Sequence, residues 1–466
     1  MFKKAAWEQY EAADRESLNA FAEDYKAFLS AGKTERECVT EAVKAAKAAG
    51  FADLREVIRE GRKLSAGDRV YSAWMGKDFM AFIIGNQSLE KGMNILGAHI
   101  DSPRIDVKQN PLYEDEGIAY FDTHYYGGIK KYQWVALPLA LHGVIVRRDG
   151  TKVTLAIGEN PDDPVFYISD LLIHLAQDQM GKTAKDVVEG EALNVIVGSE
   201  PLKGEEKEAV KKAVLALLKE RYDIEEEDLL SAELELVPAG AARDLGFDRA
   251  LIAGYGHDDR VCAYPSMRAV LDFEGTPEYT ACAILTDKEE IGSVGATGMA
   301  SHFFENTCAE LYNACSEAYC ELGLRRMLRE SRMLSSDVSA GFDPNFAGVF
   351  EKKNAAIVGR GVCFNKFTGS RGKGGSNDAN AEFMAEVRRV MDENQVDFQT
   401  AELGKVDVGG GGTIAYLCSK YGMNCIDAGI AVLSMHAPWE IISKADLWEA
   451  YKCYLAFLRD CKAPAD

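Results

Sequence analysis

The amino-acid sequence predicts an α/β protein of two domains, with a strand-rich second domain inserted into the first. The chain has 466 residues, which is longer than one ordinary domain. Apolar runs of strand length alternate with helical segments up to residue 103 and again after residue 250, whereas short alternating runs dominate the part between them. We therefore predict one domain over 1–103 plus 246–466 and an inserted domain over 104–245.

The first domain is predicted to begin with two helices, followed by buried strands. Residues 7–31 and 35–50 have apolar residues at helical spacing. The apolar runs Met80–Ile84 and Asn94–Ala98 are short enough for buried strands. The second run leads directly into His99, so we expect this side chain at the carboxyl edge of the sheet, where open α/β sheets place their sites.

The inserted part is predicted to consist mainly of strands, because turn signals such as Gly127-Gly128 and Asp149-Gly150 separate its alternating runs. Its predicted elements are strands at Leu141–Val146 and Val153–Ile157, a helix at about 168–178, a strand at Leu193–Val197, a charged helix at 204–222 and a strand at Glu233–Val237.

After residue 250 the alternation of strands and helices returns. The predicted elements are the strand Ala281–Leu285, a helix near 298–323, a strand ending at Ser335, a helix at about 378–394, a strand at about 397–402, a helix opened by Gly409–Gly412, the strand Asn424–Ala428 and an amphipathic helix at 444–461.

The composition disfavours several classes of protein. The formal net charge of −21 argues against binding to nucleic acid or to an anionic membrane, because both attract clustered Lys and Arg. Eleven cysteines without a CxxC motif are typical of reduced, buried thiols. Met1–Lys4 has no apolar run behind it, so we expect no signal peptide, and no window reaches the length of a membrane span. We expect a cytoplasmic protein.

His99 and Asp101 form the first candidate pair. An imidazole that binds a metal needs a partner for its other ring nitrogen, and a carboxylate two residues away can provide it. A His-x-Asp sequence also occurs for structural reasons. Here the strand before it and the Ser-Pro after it favour a functional site.

Glu289 and Glu290 follow the end of another predicted strand. Adjacent carboxylates point in different directions, so one can bind metal while the other acts as a general base on water. Exposed acidic loops also contain such pairs, but the apolar strand before this one favours a functional role. Asp258 is our candidate to bridge two cations, which a shared site holds about 3.5–4 Å apart. The adjacent His257 could compete as a ligand, but neighbouring side chains normally point in different directions, so we favour a supporting role and also name it as a candidate for substrate binding.

Asp337 and His436 each supply one further candidate ligand. Asp337 follows a predicted strand, and His436 lies in the loop SMHAPWE. Either residue taken alone is also compatible with a structural role. Together the His, Asp and Glu donors suit zinc, or manganese and cobalt with less preference. The sequence has no HExxH motif, which excludes a single-zinc protease of that type.

Two glycine-rich segments, Gly369–Gly375 and Gly409–Gly412, do not match phosphate-binding motifs. We interpret the first as a flexible active-site loop and the second as a tight helix start with exposed backbone N–H groups. Basic candidates for recognising an acidic substrate side chain are Arg260, Lys366, Arg371 and Lys373. Each of them can equally bind a carbonyl oxygen or face solvent.

The motifs GAHIDSP, HDDR, DKEEIGS, SSDVSAGFDPN and SMHAPWE, in this order, resemble those of the aspartyl-aminopeptidase family of metallopeptidases, which is related to the tetrahedral aminopeptidases. The resemblance implies a mixed-sheet α/β/α metallopeptidase domain split in sequence, an inserted dimerisation domain and a tetrahedral dodecamer built from dimers. It also implies that two zinc ions are bound by His99, Asp258, Glu290, Asp337 and His436, with Asp258 bridging. By the same resemblance, Glu289 is the general base and Asp101 orients His99. Gly412 and Thr413 would lie near the substrate.

The resemblance implies a metal-dependent aminopeptidase, in which a hydroxide that bridges the metals attacks the first peptide bond and Glu289 passes the proton to the leaving amine. Two alternatives stay open: a dinuclear zinc deacylase or carboxypeptidase, and a non-catalytic assembly protein. Ile168-Ser169-Asp170 stands where the family is expected to place a histidine that reaches a neighbouring subunit, and Asp258-Asp259 is closer to the broader tetrahedral group. The sequence therefore leaves the preferred N-terminal residue open.

Overall fold

The computed structural model describes residues 5–463. The prediction that the chain begins without a signal peptide concerns Met1–Lys4, which lie outside the described residues. The chain divides into two compact units. The first comprises the residues up to Asp101, then Ala242–Met435, then those from Glu440 onward. The second comprises Ser102–Ala241 and the short segment His436–Trp439. The sequence predicts a continuous insertion and gives no sign of that short segment.

The strands of the described residues are, in chain order, β1 (Ala52–Asp53), β2 (Arg69–Trp74), β3 (Asp78–Ile83), β4 (Met93–His99), β5 (Arg104–Asp115), β6 (Ile118–Tyr126), β7 (Pro138–Val146), β8 (Lys152–Ile157), β9 (Phe166–Tyr167), β10 (Val195–Gly198), β11 (Ala232–Pro238), β12 (Arg243–Leu245), β13 (Leu251–Gly254), β14 (Thr280–Thr286), β15 (Arg332–Ser335), β16 (Ser339–Ala340), β17 (Val362–Asn365), β18 (Phe398–Thr400), β19 (Asn424–Gly429), β20 (Ala431–Val432) and β21 (Glu440–Ser443).

The α-helices of the same residues are α1 (Ala12–Ala31), α2 (Glu35–Ala48), α3 (Leu54–Arg59), α4 (Gln177–Met180), α5 (Ala209–Tyr222), α6 (His257–Leu271), α7 (Phe303–Cys315), α8 (Glu321–Arg329), α9 (Ala381–Glu393), α10 (Ala415–Ser419) and α11 (Lys444–Asp460). Across the described residues, no helix is both long enough and apolar enough to span a bilayer.

The first unit is built on a nine-stranded sheet in the order β1-β2-β3-β14-β4-β15-β19-β17-β18. Strand β4 has parallel neighbours on both sides, β14 and β15. Strand β3 runs antiparallel to β14, and β17 runs antiparallel to β19. The sheet is therefore mixed, and the predicted α/β fold is confirmed.

Helices cover both faces of this sheet, as the alternating side chains of β4 show. Leu96 and Ala98 belong to a core that also contains residues of α1, α2, α6, α9 and α11. Met93 and Ile95 belong to a second core with residues of α3, α7, α8 and α10. Since successive side chains of a strand point to opposite faces, β4 is buried on both sides, and its continuous apolar run follows from this position.

The second unit contains a seven-stranded sheet in the order β11-β5-β6-β10-β9-β7-β8. Strand β11 also pairs with β7, so the sheet closes on itself. Helix α5 lies in the same unit, and its first N–H groups donate to a carboxylate: Val210 and Lys211 both bond Glu114 Oε2, at 2.8 and 2.9 Å. A negative charge at a helix N-terminus satisfies otherwise unpaired donors.

Four helix predictions are wrong in extent. The helix predicted over 7–31 begins only at Ala12. The charged helix begins at Ala209 instead of residue 204, because Glu208 has left-handed backbone geometry with φ of 50°. The predicted helix at 168–178 is absent, apart from the short turns Ile173–Leu175 and α4. Ile168 and Ala176 are buried, but the apolar residues between them are exposed, from 47% at Leu171 to 69% at Leu175, so they form no buried helical face.

The predicted helix near 298–323 is broken into α7 and α8. The break allows α8 to lie closely against α7. A Cβ atom on Gly323 would meet Tyr312 Oη at 1.9 Å, so only glycine permits this approach. Tertiary packing thus overrides the helical pattern of the intervening residues.

Candidate metal centre

Three neighbouring parallel strands deliver the candidate residues to one edge of the first unit's sheet. His99 is the last residue of β4, and Asp337 follows β15 by two residues. Glu289 and Glu290 lie in the short 3-10 turn Glu289–Ile291 after β14. Because the carboxyl ends of β14, β4 and β15 are adjacent, residues that are distant in sequence meet there.

His99 lies at the centre of a cluster of carboxylates. Its Nε2 atom is 3.1 Å from Asp258 Oδ1 and 3.9 Å from Asp337 Oδ1. Glu289 Oε2 is also 3.9 Å from that nitrogen. His99, Asp258 and Asp337 each offer one donor atom, and these three atoms lie within 4.8 Å of one another. The structure thus brings together three predicted ligands that are separated in sequence by 159 residues (His99 to Asp258) and 79 residues (Asp258 to Asp337).

Asp101 holds both His99 and the turn that carries the two glutamates. Its side chain is completely buried. His99 Nδ1 lies 3.0 Å from the backbone carbonyl oxygen of Asp101 and 3.2 Å from its Oδ1 atom. The N–H of Glu289 donates to Oδ1 at 3.1 Å, and the N–H of Glu290 donates to Oδ2 at 3.2 Å. With Nδ1 directed at Asp101, the lone pair for a metal lies on Nε2, the nitrogen that faces the other carboxylates.

Asp258 belongs to two groups of potential ligands. Besides His99 and Asp337, it has an oxygen within 4.8 Å of a carboxylate oxygen of Glu290. Asp258 lies at the start of α6, and its backbone N–H donates to Glu440 Oε2 at 2.9 Å. A carboxylate that faces two groups of ligands is suited to bridge two cations.

The charges of this cluster favour a cation. Burial and then the neighbouring carboxylate of Glu289 raise the pKa of Asp337 well above its usual value. Burial alone would lower the pKa of His99, but the hydrogen bonds with Asp101 and Asp258 raise it well above its usual range. Crowded carboxylates repel one another, and a divalent cation among oxygen and imidazole donors would offset that repulsion. The donor set therefore fits zinc.

His436 belongs to the segment that groups with the second unit. Its Nδ1 atom lies 2.8 Å from the carbonyl oxygen of Gly128. Donation by Nδ1–H to this carbonyl leaves the lone pair of the ring on Nε2, the arrangement expected of a metal-binding histidine. Its assignment as a ligand stays a prediction from the sequence.

The residues predicted at the substrate have other partners in the structure. His257 is fully buried, its Nδ1 is 2.7 Å from the hydroxyl of Tyr25, and burial lowers its pKa to about 3. A neutral, buried imidazole favours the supporting role over substrate contact. Lys366 forms an ion pair with Asp378. The substrate role of Lys366 stays a prediction.

Thr413 donates a hydrogen bond from Oγ1 to Asp427 Oδ1 at 2.6 Å. Asp427 is buried within β19, the strand that neighbours β15. This bond fixes the end of the glycine segment that contains Gly412. The contact of Gly412 and Thr413 with substrate stays a prediction.

Sequence reasoning missed three carboxylates that support the site. Asp259 Oδ2 accepts the N–H of His99 at 3.3 Å, Glu440 accepts the N–H of Asp258, and Asp427 holds Thr413. Two of these had a signal: Asp259 stands beside Asp258, and Glu440 is the last residue of the motif SMHAPWE. Asp427 had none beyond its place in a predicted strand.

A mixed sheet between two layers of helices, with a histidine–carboxylate cluster at its carboxyl edge and Glu289 beside it, defines a metal-dependent hydrolase. Comparison with known proteins gives the family. The family described as "Aminopeptidase I zinc metalloprotease (M18)" matches residues 28–458. The chain belongs to this M18 family of zinc metalloproteases, and its activity is that of an aminopeptidase.

Several relatives and solved structures are similar over nearly the whole chain. A probable M18 family aminopeptidase 1 from Clostridium acetobutylicum is 56% identical over 458 residues, which is 98% of each chain. The structure of an M18 aminopeptidase from Thermotoga maritima has a TM-score of 0.93 and 44% identity, covering 99% of this chain and 100% of that one. The structure of aminopeptidase I from C. acetobutylicum has a TM-score of 0.91 and 54% identity, covering 98% and 100%. These relatives favour the aminopeptidase over the deacylase, carboxypeptidase and assembly alternatives.

Proposed function

We propose that the chain removes the N-terminal residue of peptides with two zinc ions that share the carboxylate of Asp258. The observation that carries this proposal is the membership of Asp258 in two groups of donors, one with His99 and Asp337 and one with Glu290. His99 and Asp337 would hold one ion. Glu290 and, by its motif, His436 would hold the other. Cobalt or manganese suit the same donors.

Zinc ions bound there would polarise the first carbonyl of the peptide and make water more acidic at neutral pH. Glu289 is the proposed base, because its carboxylate lies beside the donor cluster, with Oε2 3.9 Å from His99 Nε2, and is 15% exposed, so water can reach it. It takes the proton of the attacking water on a carboxylate oxygen and delivers it to the leaving amine. Asp101 keeps Glu289 in place through the backbone N–H, and it orients His99 through Nδ1.

The replacement Glu289→Gln tests this assignment. It keeps the size of the side chain but removes the base, so kcat should fall by about 10²–10⁴-fold. The zinc content, measured by elemental analysis, should stay that of the wild type, because Glu289 is not among the proposed ligands. Undiminished turnover by a fully metal-loaded variant would refute the role of Glu289.

The substrate preference requires a screen of aminoacyl-anilides with acidic, neutral and basic first residues, repeated with zinc, cobalt and manganese. Lys366 is a candidate to recognise an acidic residue, although its side chain is 46% exposed and paired with Asp378. A preference that Lys366→Ala leaves unchanged would exclude this candidate. Hydrolysis from the carboxyl end of a peptide would favour the carboxypeptidase alternative.

The proposed assembly is a tetrahedral dodecamer whose dimers form through the second unit. The exposed apolar run Leu171–Leu175 supports such an interface, because exposed apolar patches mark interaction surfaces. A structure described as a dodecamer of mApe1 from S. cerevisiae shares 20% identity with this chain and a TM-score of 0.74. We also propose a cytoplasmic location, which free cysteines in the described residues support.

A further inference from the structure

Asp78 is a buried carboxyl group beside the turn that carries Glu289 and Glu290, and the proposed function does not use it. It is the first residue of β3, which pairs with β14, and it is 1% exposed. Its Oδ1 atom accepts the N–H of Asp287 at 3.2 Å and the hydroxyl of Thr286 at 3.4 Å. Asp78 thus contacts the two residues at which β14 passes into the turn.

Asp287 closes the base of the segment 287–298. Its Oδ2 atom accepts the hydroxyl of Thr297 at 2.6 Å and pairs with Lys288 Nζ at 3.2 Å. Its backbone also forms a bridge with Gly298. The first and last residues of the segment are therefore fixed to each other, and Asp78 fixes both to the neighbouring strand.

The interior of this segment is closely packed, so a shift at its base reaches the turn. A Cβ atom on Gly298 would lie 2.1 Å from the carbonyl oxygen of Ser293. The N–H of Ala300 bonds the same oxygen at 3.1 Å. On the opposite side, Asp101 accepts the N–H groups of both glutamates. The turn is thus held by a buried carboxyl group on each side.

The charge state of Asp78 suggests a conservative variant. Burial, with the nearby Asp287 carboxylate adding to it, raises the pKa of Asp78 to about 8 although hydrogen bonds oppose this. The group therefore carries its proton at neutral pH for most of the time. Asparagine is neutral, has nearly the same shape and keeps the accepting oxygen.

We propose that Asp78 is a positioning residue for the aminopeptidase reaction, which sets the place of the Glu289 carboxylate through the N–H of Asp287. The inference rests on the proposed role of Glu289 as base. Asp78 touches neither the proposed metal ligands nor Glu289 itself. Because the same turn carries the proposed ligand Glu290, the variants are compared at saturating zinc, where removal of Asp78 should affect the chemical step and not the binding of substrate.

The test compares Asp78→Ala with Asp78→Asn and with a matched control. The control is Asn94→Ala, since Asn94 is equally buried (1% exposed) but lies near the amino end of β4, where it donates to Phe457 and Cys461 carbonyls. Asp78→Ala should lower kcat about 10- to 100-fold, because a misplacement of about 1 Å can cost 10²-fold. At saturating zinc, KM should change less than about twofold. Asp78→Asn should restore most of kcat, and Asn94→Ala should keep kcat.

The inference is overturned by an unchanged kcat in folded, metal-loaded Asp78→Ala, or by an equal loss of kcat in Asn94→Ala. Should Asp78→Ala fail to fold, Asp78→Ser keeps a small polar side chain that is too short to accept the N–H of Asp287. It should lower kcat severalfold at constant KM, and no change would overturn the inference. Failure of the proposed function itself is seen separately, as retained activity of Glu289→Gln.

Discussion

The replacement Asp101→Asn should lower kcat/KM strongly while leaving the protein folded. In the structure, the carboxylate of Asp101 meets His99 Nδ1 and accepts the N–H groups of Glu289 and Glu290 with different oxygens. Asparagine has one accepting oxygen, so at least one of these donors would face an amide NH₂ group. The change therefore disturbs both the imidazole and the glutamate turn.

The size of the effect follows from the cost of an unpaired donor. A buried donor left without a partner costs about 1–3 kcal/mol. At about 1.36 kcal/mol for each factor of ten in rate, a cost that falls wholly on the transition state lowers kcat/KM about 5- to 150-fold. This range agrees with the 10- to 100-fold effects of replacing partners of metal-binding histidines.

The assay is hydrolysis of an aminoacyl-p-nitroanilide at saturating zinc, with the metal content measured on the same samples. The matched control is Asp446→Asn. Asp446 is also fully buried, and it accepts two backbone N–H groups, from Gly359 and Gly361, both at 2.7 Å. That variant should be less stable but should keep the wild-type kcat/KM. A loss below threefold in metal-loaded Asp101→Asn, or an equal loss in Asp446→Asn, would refute the reasoning.

Three further predictions concern protons, packing and assembly. Zinc binding should release protons and become tighter as pH rises, because the metal-free protein holds the pKa of His99 above its usual range. Calorimetry in buffers of different ionisation enthalpy measures the protons released. Identical apparent binding enthalpies in all buffers would contradict the prediction. Gly323→Ala should lower the free energy of unfolding by about 1–3 kcal/mol in denaturant titrations, through the clash with Tyr312, and unchanged stability would speak against that contact. Ile173→Asp should lower the oligomer mass measured by light scattering, because it places a charge on a 67% exposed apolar side chain of the proposed interface. The control is Leu322→Asp, which places the same charge on an exposed residue of α8 (55%) and should leave the mass unchanged.

The sequence predicts the strands of the central sheet well, because burial on both faces leaves a simple pattern. The apolar runs before His99 and before the glutamate pair correspond to β4 and β14, and they end where the candidate residues begin. The rule that ligands gather at the carboxyl ends of parallel strands then places Asp337 with them. Motif and topology together bring most of the predicted ligands to one place, and their role as ligands stays a prediction.

The remaining parts depend on contacts that no local pattern encodes. Glu440 reaches the N–H of Asp258 across a separation of 182 residues. Gly323 of α8 lies against Tyr312 of α7, and the helical pattern of residues 298–323 gives no sign of this contact. The exposed run Leu171–Leu175 has the composition of a buried element, and composition alone does not distinguish a core from an interface.

The pairing of β4 also sets an order of events during synthesis. Strands β5 to β11 pair only with one another, so the second unit has all its strands once the chain reaches Pro238. Strand β4 precedes them, yet its neighbours β14 and β15 are made only afterwards. The inserted unit can therefore fold on the ribosome while β4, a strand that is buried along its whole length in the final structure, still lacks its partner strands. Pairing between strands that are far apart in sequence, such as β4 with β14 and β15, is slow. We therefore expect β4 to be the part of the nascent chain that most needs protection from aggregation.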